Sequence, residues 1–197
     1  MFIMGTVLGS FYTLAVYRIP LKQDITYTRS YCPKCNHRLN FWDLVPVLSY
    51  IFLGGRCRYC KDKIRPRYII IELLSGLVFL LFGIGINLNV LNIEHEKIAT
   101  LIFGIMFFST VFIVIGILKE YKKIQKSVFN FGIISEALYM IYLYILNTSI
   151  YRYIIYGLLV LFMAIINNTN KPKESMKIIA FIIFIIIGIC EISIILI

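Results

Sequence analysis

Residues 32–35 read Cys-Pro-Lys-Cys and residues 57–60 read Cys-Arg-Tyr-Cys, within a basic segment that separates two hydrophobic runs. Two thiolates separated by two residues can bind one ion from a single tight turn, and a second pair completes an all-sulfur tetrahedron. The spacing therefore predicts a structural zinc site whose ligands are Cys32, Cys35, Cys57 and Cys60. A disulfide pair or free thiols are the alternatives, and the compartment that the segment occupies decides between them. His37 is a weaker candidate ligand.

The rest of the chain is hydrophobic enough for a membrane protein. Of its 197 residues, 60% are hydrophobic, and the mean hydropathy is +0.85. A helix needs about 20 apolar residues to cross about 30 Å of hydrocarbon. Apolar runs predict six transmembrane helices, near residues 1–17, 68–87, 98–118, 128–147, 151–167 and 178–197. We interpret the first run as a retained span and not a signal peptide, because its basic residues, Arg18 and Lys22, follow it.

The distribution of charge predicts the orientation of these spans. Alternating the six directions places segments 18–67, 119–127 and 168–177 on one face, with 18 of the 20 Lys and Arg residues. Lys97 and Arg152 fall on the other face. By the positive-inside rule the basic face is cytoplasmic, so both termini are expected outside. The cysteine segment is then in a reducing compartment, where thiolates favour a metal over a disulfide.

These patterns predict an all-α integral membrane protein with a small, zinc-ribbon-like cytoplasmic insert. The expected parts are a first span at 1–17, the insert at 18–67 and a five-span bundle at 68–197. The insert is too small to fold on apolar burial alone, which makes a metal its expected staple. Its apolar stretch 41–53 predicts an interfacial helix with Trp42 and Tyr50 as anchors. No internal repeat is apparent, and Cys190, in the last run, is expected to be structural.

The net charge of +10 raises the alternative of nucleic-acid binding, because 18–67 alone carries a net charge of +8. The positive-inside rule and attraction to anionic lipid headgroups account for that charge more simply. We therefore expect the lipid bilayer, and no nucleic acid, as the partner of this surface.

Several stretches between residues 9 and 76 match one family in order, spacing and residue type. They are Gly9-Ser10-Phe11, Tyr17-Arg18-Ile19-Pro20, Cys32-Pro33-Lys34-Cys35-Asn36-His37-Arg38-Leu39, Trp42-Asp43-Leu44-Val45-Pro46-Val47-Leu48-Ser49-Tyr50, Gly55-Arg56-Cys57-Arg58-Tyr59-Cys60 and Glu72-Leu73-Leu74-Ser75-Gly76. This region resembles the N-terminal cysteine region of the type IV prepilin peptidases. A small departure is Thr13, where the family usually has Asn.

The resemblance implies a bacterial inner-membrane enzyme that cleaves prepilin leaders and methylates the new N-terminus for pilus, competence or secretion systems. It also implies prepilin-like proteins or pilus and secretion machinery as partners, and S-adenosylmethionine as a cofactor if methyl transfer is retained. The family's peptidase uses two aspartates, one before an Ile-Pro or Leu-Pro turn and one in Gly-x-Gly-Asp. One carboxylate activates water while its protonated partner polarises the scissile carbonyl.

This chain lacks both aspartate motifs, because its aspartates are Asp24, Asp43 and Asp62 alone. We therefore expect no catalytic residue for proteolysis, and a degenerate family member or a non-catalytic zinc-binding scaffold for pilin or secretion machinery. A substitute dyad of Glu120 and Glu136 is a less favoured hypothesis. Glu72 is expected to have a positioning role near Arg67, at the start of its span.

Overall fold

The computed structural model describes residues 1–88, 95–146, 150–169 and 173–196, and of residues 150–152 and 194–196 it describes the backbone only. These residues form seven α-helices and a short 3₁₀ turn, Phe41–Asp43, and no strand longer than an isolated bridge. The helices are α1 (Phe2–Arg18), α2 (Leu48–Phe52), α3 (Arg67–Gly85), α4 (His95–Tyr121), α5 (Lys126–Ile145), α6 (Ile150–Asn168) and α7 (Glu174–Leu196). The predicted all-α membrane fold is confirmed.

The six long helices lie where the apolar runs predicted spans. Within the described residues, α3, α4, α5 and the Glu174–Ser193 part of α7 have the length and hydropathy to cross a bilayer. The 17 residues of α1 and the apolar stretch Tyr153–Asn168 of α6 are shorter. The predicted span ends at 147 and 197, and Lys171 of a predicted cytoplasmic loop, lie outside the described residues.

The chain divides into two compact units, Met1–Ile84 and Gly85–Ile197. In the first unit, α1 packs closely on α3 through a small-residue motif, Gly5-x-x-x-Gly9. A Cβ atom on Gly5 would lie 2.6 Å from the Ser75 carbonyl oxygen, and one on Gly9 would lie 2.8 Å from the Cα of Glu72. Real Cβ atoms do not approach backbone so closely, so only glycine permits this helix contact.

A buried arginine fixes the loop that follows α1. The Arg18 guanidinium donates to the carbonyl oxygens of Asp24 and Thr28, at 2.9 and 2.8 Å. The Asp24 carboxylate in turn accepts the backbone N–H groups of Tyr27 and Thr28, both at 2.7 Å. Hydrogen bonds from the N–H groups of Thr26, Thr28 and Tyr27 lower the pKa of Asp24 to about 2. The start of the insert is therefore a folded loop tied to the end of α1.

The second unit is a bundle of α4, α5, α6 and α7, packed in sequence, with α7 also contacting α4 and α5. Aromatic rings fill its interior. The Phe103 ring stacks on Tyr139 with 4.0 Å between centroids, and the Phe184 ring lies 5.2 Å from Phe107 and 5.9 Å from Phe129. Stacking of this kind joins the three helices α4, α5 and α7, and a buried hydrogen bond of 3.1 Å between the Tyr139 hydroxyl and Thr100 also joins α5 to α4.

Candidate metal centre

The first cysteine pair lies in a tight hydrogen-bonded knuckle. The Cys32 N–H donates to the His37 carbonyl at 3.0 Å, and the Asn36 N–H donates back to the Cys32 carbonyl at 2.8 Å. Asn36 has φ of 56°, a left-handed conformation that Asn tolerates better than most residues. An antiparallel bridge between Tyr31 and Arg38 closes the turn. This geometry directs both thiols of the pair to the same side.

The second pair repeats this knuckle. The Cys57 N–H donates to the Asp62 carbonyl at 2.8 Å, and the Lys61 N–H donates to the Cys57 carbonyl at 3.0 Å. Lys61 has φ of 60°, and a bridge between Arg56 and Lys63 closes the turn. Each element of the first knuckle therefore recurs 25 positions later, from 32 to 57 and from 36 to 61.

The repeat extends beyond the knuckles. The Leu39 N–H donates to the Ser30 carbonyl at 2.9 Å, and the Ile64 N–H donates to the Gly55 carbonyl at 2.8 Å, again 25 positions apart. The expectation that the chain has no internal repeat is wrong for this segment, because beyond the cysteines the two copies share few residue types. Their shared signal is a Cys-x-x-Cys followed by a residue that must adopt positive φ and, three positions later, by an apolar residue.

The two knuckles bring the four predicted ligands together. The Sγ atoms of Cys32, Cys35, Cys57 and Cys60 all lie within 4.8 Å of one another, and those of Cys32 and Cys60 are 3.9 Å apart. A regular tetrahedron with Zn–S bonds of about 2.3 Å has edges of about 3.8 Å. The first thiol of each pair is buried, the second is exposed, and all five cysteines are free thiols. The donor set and its dimensions fit one tetrahedral, thiophilic ion.

The thiols of this cluster influence one another's protonation. The backbone N–H of Cys60 is the main cause that lowers the pKa of Cys57 to about 7. At Cys60 the Asp62 N–H favours the thiolate, yet burial and hydrogen bonds with the other sulfurs raise its pKa to about 12. Four thiols at this spacing therefore cannot all ionise without a cation, which is the condition under which a metal replaces their protons.

Asp43 joins the 3₁₀ turn to the second knuckle. Its carboxylate accepts from Arg58 Nε at 2.6 Å, from the Tyr59 hydroxyl at 3.2 Å and from the Asn40 N–H at 3.1 Å. Burial alone would raise the pKa of Asp43, but the hydrogen bond and charge of Arg58, with the other two donors, hold it below its ordinary value. His37, the weaker candidate ligand, lies outside the sulfur cluster and packs on the Tyr59 ring, 3.6 Å between centroids.

Glu72 connects the insert to a transmembrane helix. It is buried, and its Oε2 accepts the Val47 N–H at 2.7 Å. Val47 precedes α2 and has φ of 63°, a strained value for a β-branched residue. The hydrogen bond suggests what the expected positioning role of Glu72 is: its carboxylate holds the strained turn at Val47 against α3. Arg67, the expected neighbour, lies over the Tyr68 ring, 5.2 Å from its centroid.

The structure gives the glutamates of the second unit different surroundings from those of an active dyad. Glu120 is exposed near the end of α4, whereas Glu136 is fully buried in α5. The acid that acts electrostatically on Glu136 is Glu191 of α7, which is also fully buried. The carboxylate oxygens of Glu136 and Glu191 have no hydrogen-bond partner among the described residues.

Comparisons with known proteins match the part of the chain that carries the knuckles. Residues 3–86 match the family model of the bacterial peptidase A24 N-terminal domain. The prepilin leader peptidase/N-methyltransferase of Myxococcus xanthus is 43% identical over 79 residues, covering 40% of this chain and 24% of that protein. The Vibrio cholerae protein of the same name is also 43% identical over 79 residues, 36% of this chain and 31% of that protein. The Bacillus subtilis one is 42% identical over 91 residues, 45% of this chain and 37% of that protein.

The chain thus spans between about a quarter and two fifths of the length of these curated relatives. No solved structure matches it. The matched region contains nearly all of α1, both knuckles, the Asp43 contacts and the Glu72–Val47 hydrogen bond. It also contains the stretches between residues 9 and 76 that carry the resemblance. Residues 3–86 are therefore similar to the bacterial peptidase A24 N-terminal domain and to the matching part of the prepilin leader peptidase/N-methyltransferases.

Proposed function

We propose that Cys32, Cys35, Cys57 and Cys60 bind one structural zinc ion. The repeated knuckles, the four clustered sulfurs and the buried first thiols support this assignment. Tetrahedral sulfur coordination suits zinc, and four protein ligands leave no open position for water, so such an ion would be structural and not catalytic. Its role would be to fold the insert, which we place at 18–67 between a first span at 1–17 and the bundle at 68–197.

We further propose that the protein lies in the bacterial inner membrane with the insert on the cytoplasmic side. The 18-to-2 division of basic residues supports this orientation through the positive-inside rule. A reducing compartment also suits a cluster of free thiols better than an oxidising one.

The proposed function is to bind prepilin-like proteins, or pilus and secretion machinery, without cleaving prepilin leaders. The observation that carries it is that no aspartate follows Asp62 in this chain, although residues 3–86 match the N-terminal domain of the peptidase family. Loss of a general acid or base removes about 100- to 10,000-fold of rate for each group. The relatives' names join leader cleavage to N-methylation, so S-adenosylmethionine is a cofactor of this chain only if methyl transfer is retained.

The test uses the full chain purified in detergent, a prepilin peptide that spans the cleavage site, and mass spectrometry. We expect binding of the peptide and no leader release by this chain, while a complete family member cleaves the same peptide. Leader release that Glu136→Gln or Glu120→Gln abolishes would refute the non-cleaving function. Absence of peptide binding would refute the scaffold. Addition of S-adenosylmethionine to a pre-cleaved peptide tests methyl transfer in the same assay.

A further inference from the structure

The segment 41–52 of the insert exposes large apolar side chains. The exposed fractions are 76% for Phe41, 74% for Trp42, 52% for Leu48, 59% for Ile51 and 82% for Phe52. Within α2, positions 48, 51 and 52 share one face of the helix because they are three and four residues apart. We call these five residues the apolar face. Exposed apolar side chains that cluster in this way mark a surface that contacts a membrane or another protein.

The side of α2 that carries Tyr50 packs on the rest of the insert. The Tyr50 hydroxyl donates to the Ile64 carbonyl at 3.4 Å, and a Cβ on Gly55 would lie 2.9 Å from the Tyr50 ring. Tyr50 was expected to be a membrane anchor, but its contacts show that it is an internal contact of the insert. These contacts fix α2 with Leu48, Ile51 and Phe52 directed outward.

The hydrogen bond between Val47 and Glu72 sets the depth of the apolar face. Glu72 is the sixth residue of α3, so it lies about 7.5 Å along the helix from Arg67. Because the 19 residues of α3 are only just long enough to cross the hydrocarbon, this position lies a short distance inside the hydrocarbon, below the headgroups. α2 begins at the residue that follows Val47, and therefore at the same depth.

A basic cleft of about 370 Å³ adjoins α2 in the same unit. Three of its lining residues are cationic and none is acidic; the lining consists of Tyr50, Gly54, Gly55, Arg56, Lys63, Ile64, Arg65 and Pro66. Gly54 and Gly55 both have positive φ, and a Cβ on Gly54 would meet no atom within 4 Å, so that wall of the cleft is open. The volume lies in the range of small-ligand pockets, and arginine forks bind phosphate oxygens in pairs.

We propose that this surface is an anionic-phospholipid site, in which the apolar face enters the bilayer interface and the cleft of Arg56, Lys63 and Arg65 binds the headgroup phosphate. The depth of Val47 brings the face to the interface, and three cations without an acid match a lipid that carries a net negative charge. A nucleic acid would use the same cations, but it would leave the apolar face in water. The site rests on the proposed membrane location of the protein, but it requires neither a particular metal in the cysteine cluster nor prepilin binding.

The first experiment uses the single tryptophan of the chain, Trp42, as a native probe. The full chain is placed in nanodiscs of phosphatidylcholine and phosphatidylglycerol, with bromine on acyl-chain carbons close to the headgroup. We expect most of the Trp42 emission to be quenched relative to nanodiscs of unbrominated lipid. Emission that bromine leaves unchanged would overturn the membrane location of the apolar face.

The second experiment measures phosphatidylglycerol bound to the detergent-purified chain by native mass spectrometry. Arg56→Ala and Lys63→Ala are each expected to weaken binding about fivefold, since a basic residue near an anionic surface contributes about 1 kcal/mol. Lys34→Ala is the matched control, because Lys34 is an exposed cation of the insert outside the cleft. Metal content and melting temperature verify that the variants remain folded.

The remaining results separate the possible occupants. Equal binding of phosphatidylcholine, or equal weakening by Lys34→Ala, would overturn the cleft as an anionic-lipid site. Displacement of the lipid by inorganic phosphate at equal concentration would identify a free-phosphate site instead. A single-stranded oligonucleotide that binds more tightly than phosphatidylglycerol, with loss of binding in Arg56→Ala, would assign the cleft to nucleic acid and refute the proposal.

Discussion

Substitution of Cys57 by serine provides a direct test of the metal centre. Cys57 is buried, and its Sγ lies within 4.8 Å of the other three sulfurs. Structural zinc sites of this kind bind with roughly 10–16 kcal/mol at neutral pH. If four equivalent thiolates share that free energy, loss of one removes roughly 2.5–4 kcal/mol, which is a decrease of about a hundred- to a thousandfold in affinity.

Cys190→Ser is the matched control. It also removes one of the five thiols, but Cys190 lies in α7 and outside the sulfur cluster. The full chain is purified in detergent, its metal is quantified by mass spectrometry, and zinc is withdrawn with a chromogenic chelator. We expect about one zinc per wild-type and Cys190→Ser chain, and early release from Cys57→Ser.

Limited proteolysis supplies the structural readout of the same experiment. Because metal binding and folding are coupled in small domains, chelator should open residues 30–64 of the wild type to protease while the long helices stay protected. Equal zinc retention in Cys57→Ser and Cys190→Ser would refute the assignment of the ligands. Metal-free wild-type protein with a protease-resistant insert would refute the metal centre itself.

Three further changes test other parts of the structure. Gly9→Ala should destabilise the first unit by about 1–3 kcal/mol in thermal melts, because the new Cβ atom would meet the α3 backbone. Gly157→Ala is the control: its Cβ atom would lie 3.8 Å from the nearest neighbouring atom, so this change should be neutral or slightly stabilising. The pKa of Asp24 is lowered from 3.8 to about 2 in the folded loop. The ionised carboxylate therefore stabilises this loop fully above pH 3.8, and the stabilisation is lost as the pH falls toward 2. The protection of loop 24–28 from hydrogen exchange, taken relative to the intrinsic exchange rate at each pH, should therefore fall over that window in the wild type and stay constant there in Asp24→Asn. Asp43→Ala should weaken zinc binding about tenfold, because the second knuckle loses its contact with the Asp43 carboxylate. Asp62→Ala should not weaken it, because the backbone carbonyl that accepts the Cys57 N–H is retained. Equal zinc affinities of the two variants in chelator competition would contradict this prediction.

The long helices and the four clustered thiols could be predicted from the sequence, because both depend on a local pattern of residues. Six apolar runs became six long helices, because a run of about 20 apolar residues determines a helix almost irrespective of its neighbours. The Cys-x-x-Cys spacing identified the four thiols that the fold brings together, because two residues between the cysteines set the geometry of each turn.

Side-chain direction within the insert could not be predicted in the same way. Tyr50 resembled an interfacial anchor, yet its ring faces Gly55, because the direction of a short helix is set by distant contacts. The hydrogen bond between Val47 and Glu72, which accompanies the positive φ of Val47, joins residues 25 positions apart. A contact over that distance leaves no periodic pattern in the sequence. Asp43 received no role from the sequence for the same reason: its partners Arg58 and Tyr59 come from another turn.

The burial of the second unit's acids bears directly on whether glutamates could replace the missing aspartates. A hydrolytic pair needs one acid that reaches water and both acids within reach of the scissile carbonyl. Glu136 and Glu191 have no exposed surface and lie among the aromatic and aliphatic side chains of the bundle. Burial of a carboxyl without a hydrogen-bond partner is costly, and neither of these two acids is exposed to water in the bundle. Glu120 differs from them, because its side chain is exposed near the end of α4. The exposed Glu120 and the buried Glu136 therefore differ in their access to water, whereas an aspartic mechanism needs two neighbouring acids that share a proton within reach of water and substrate.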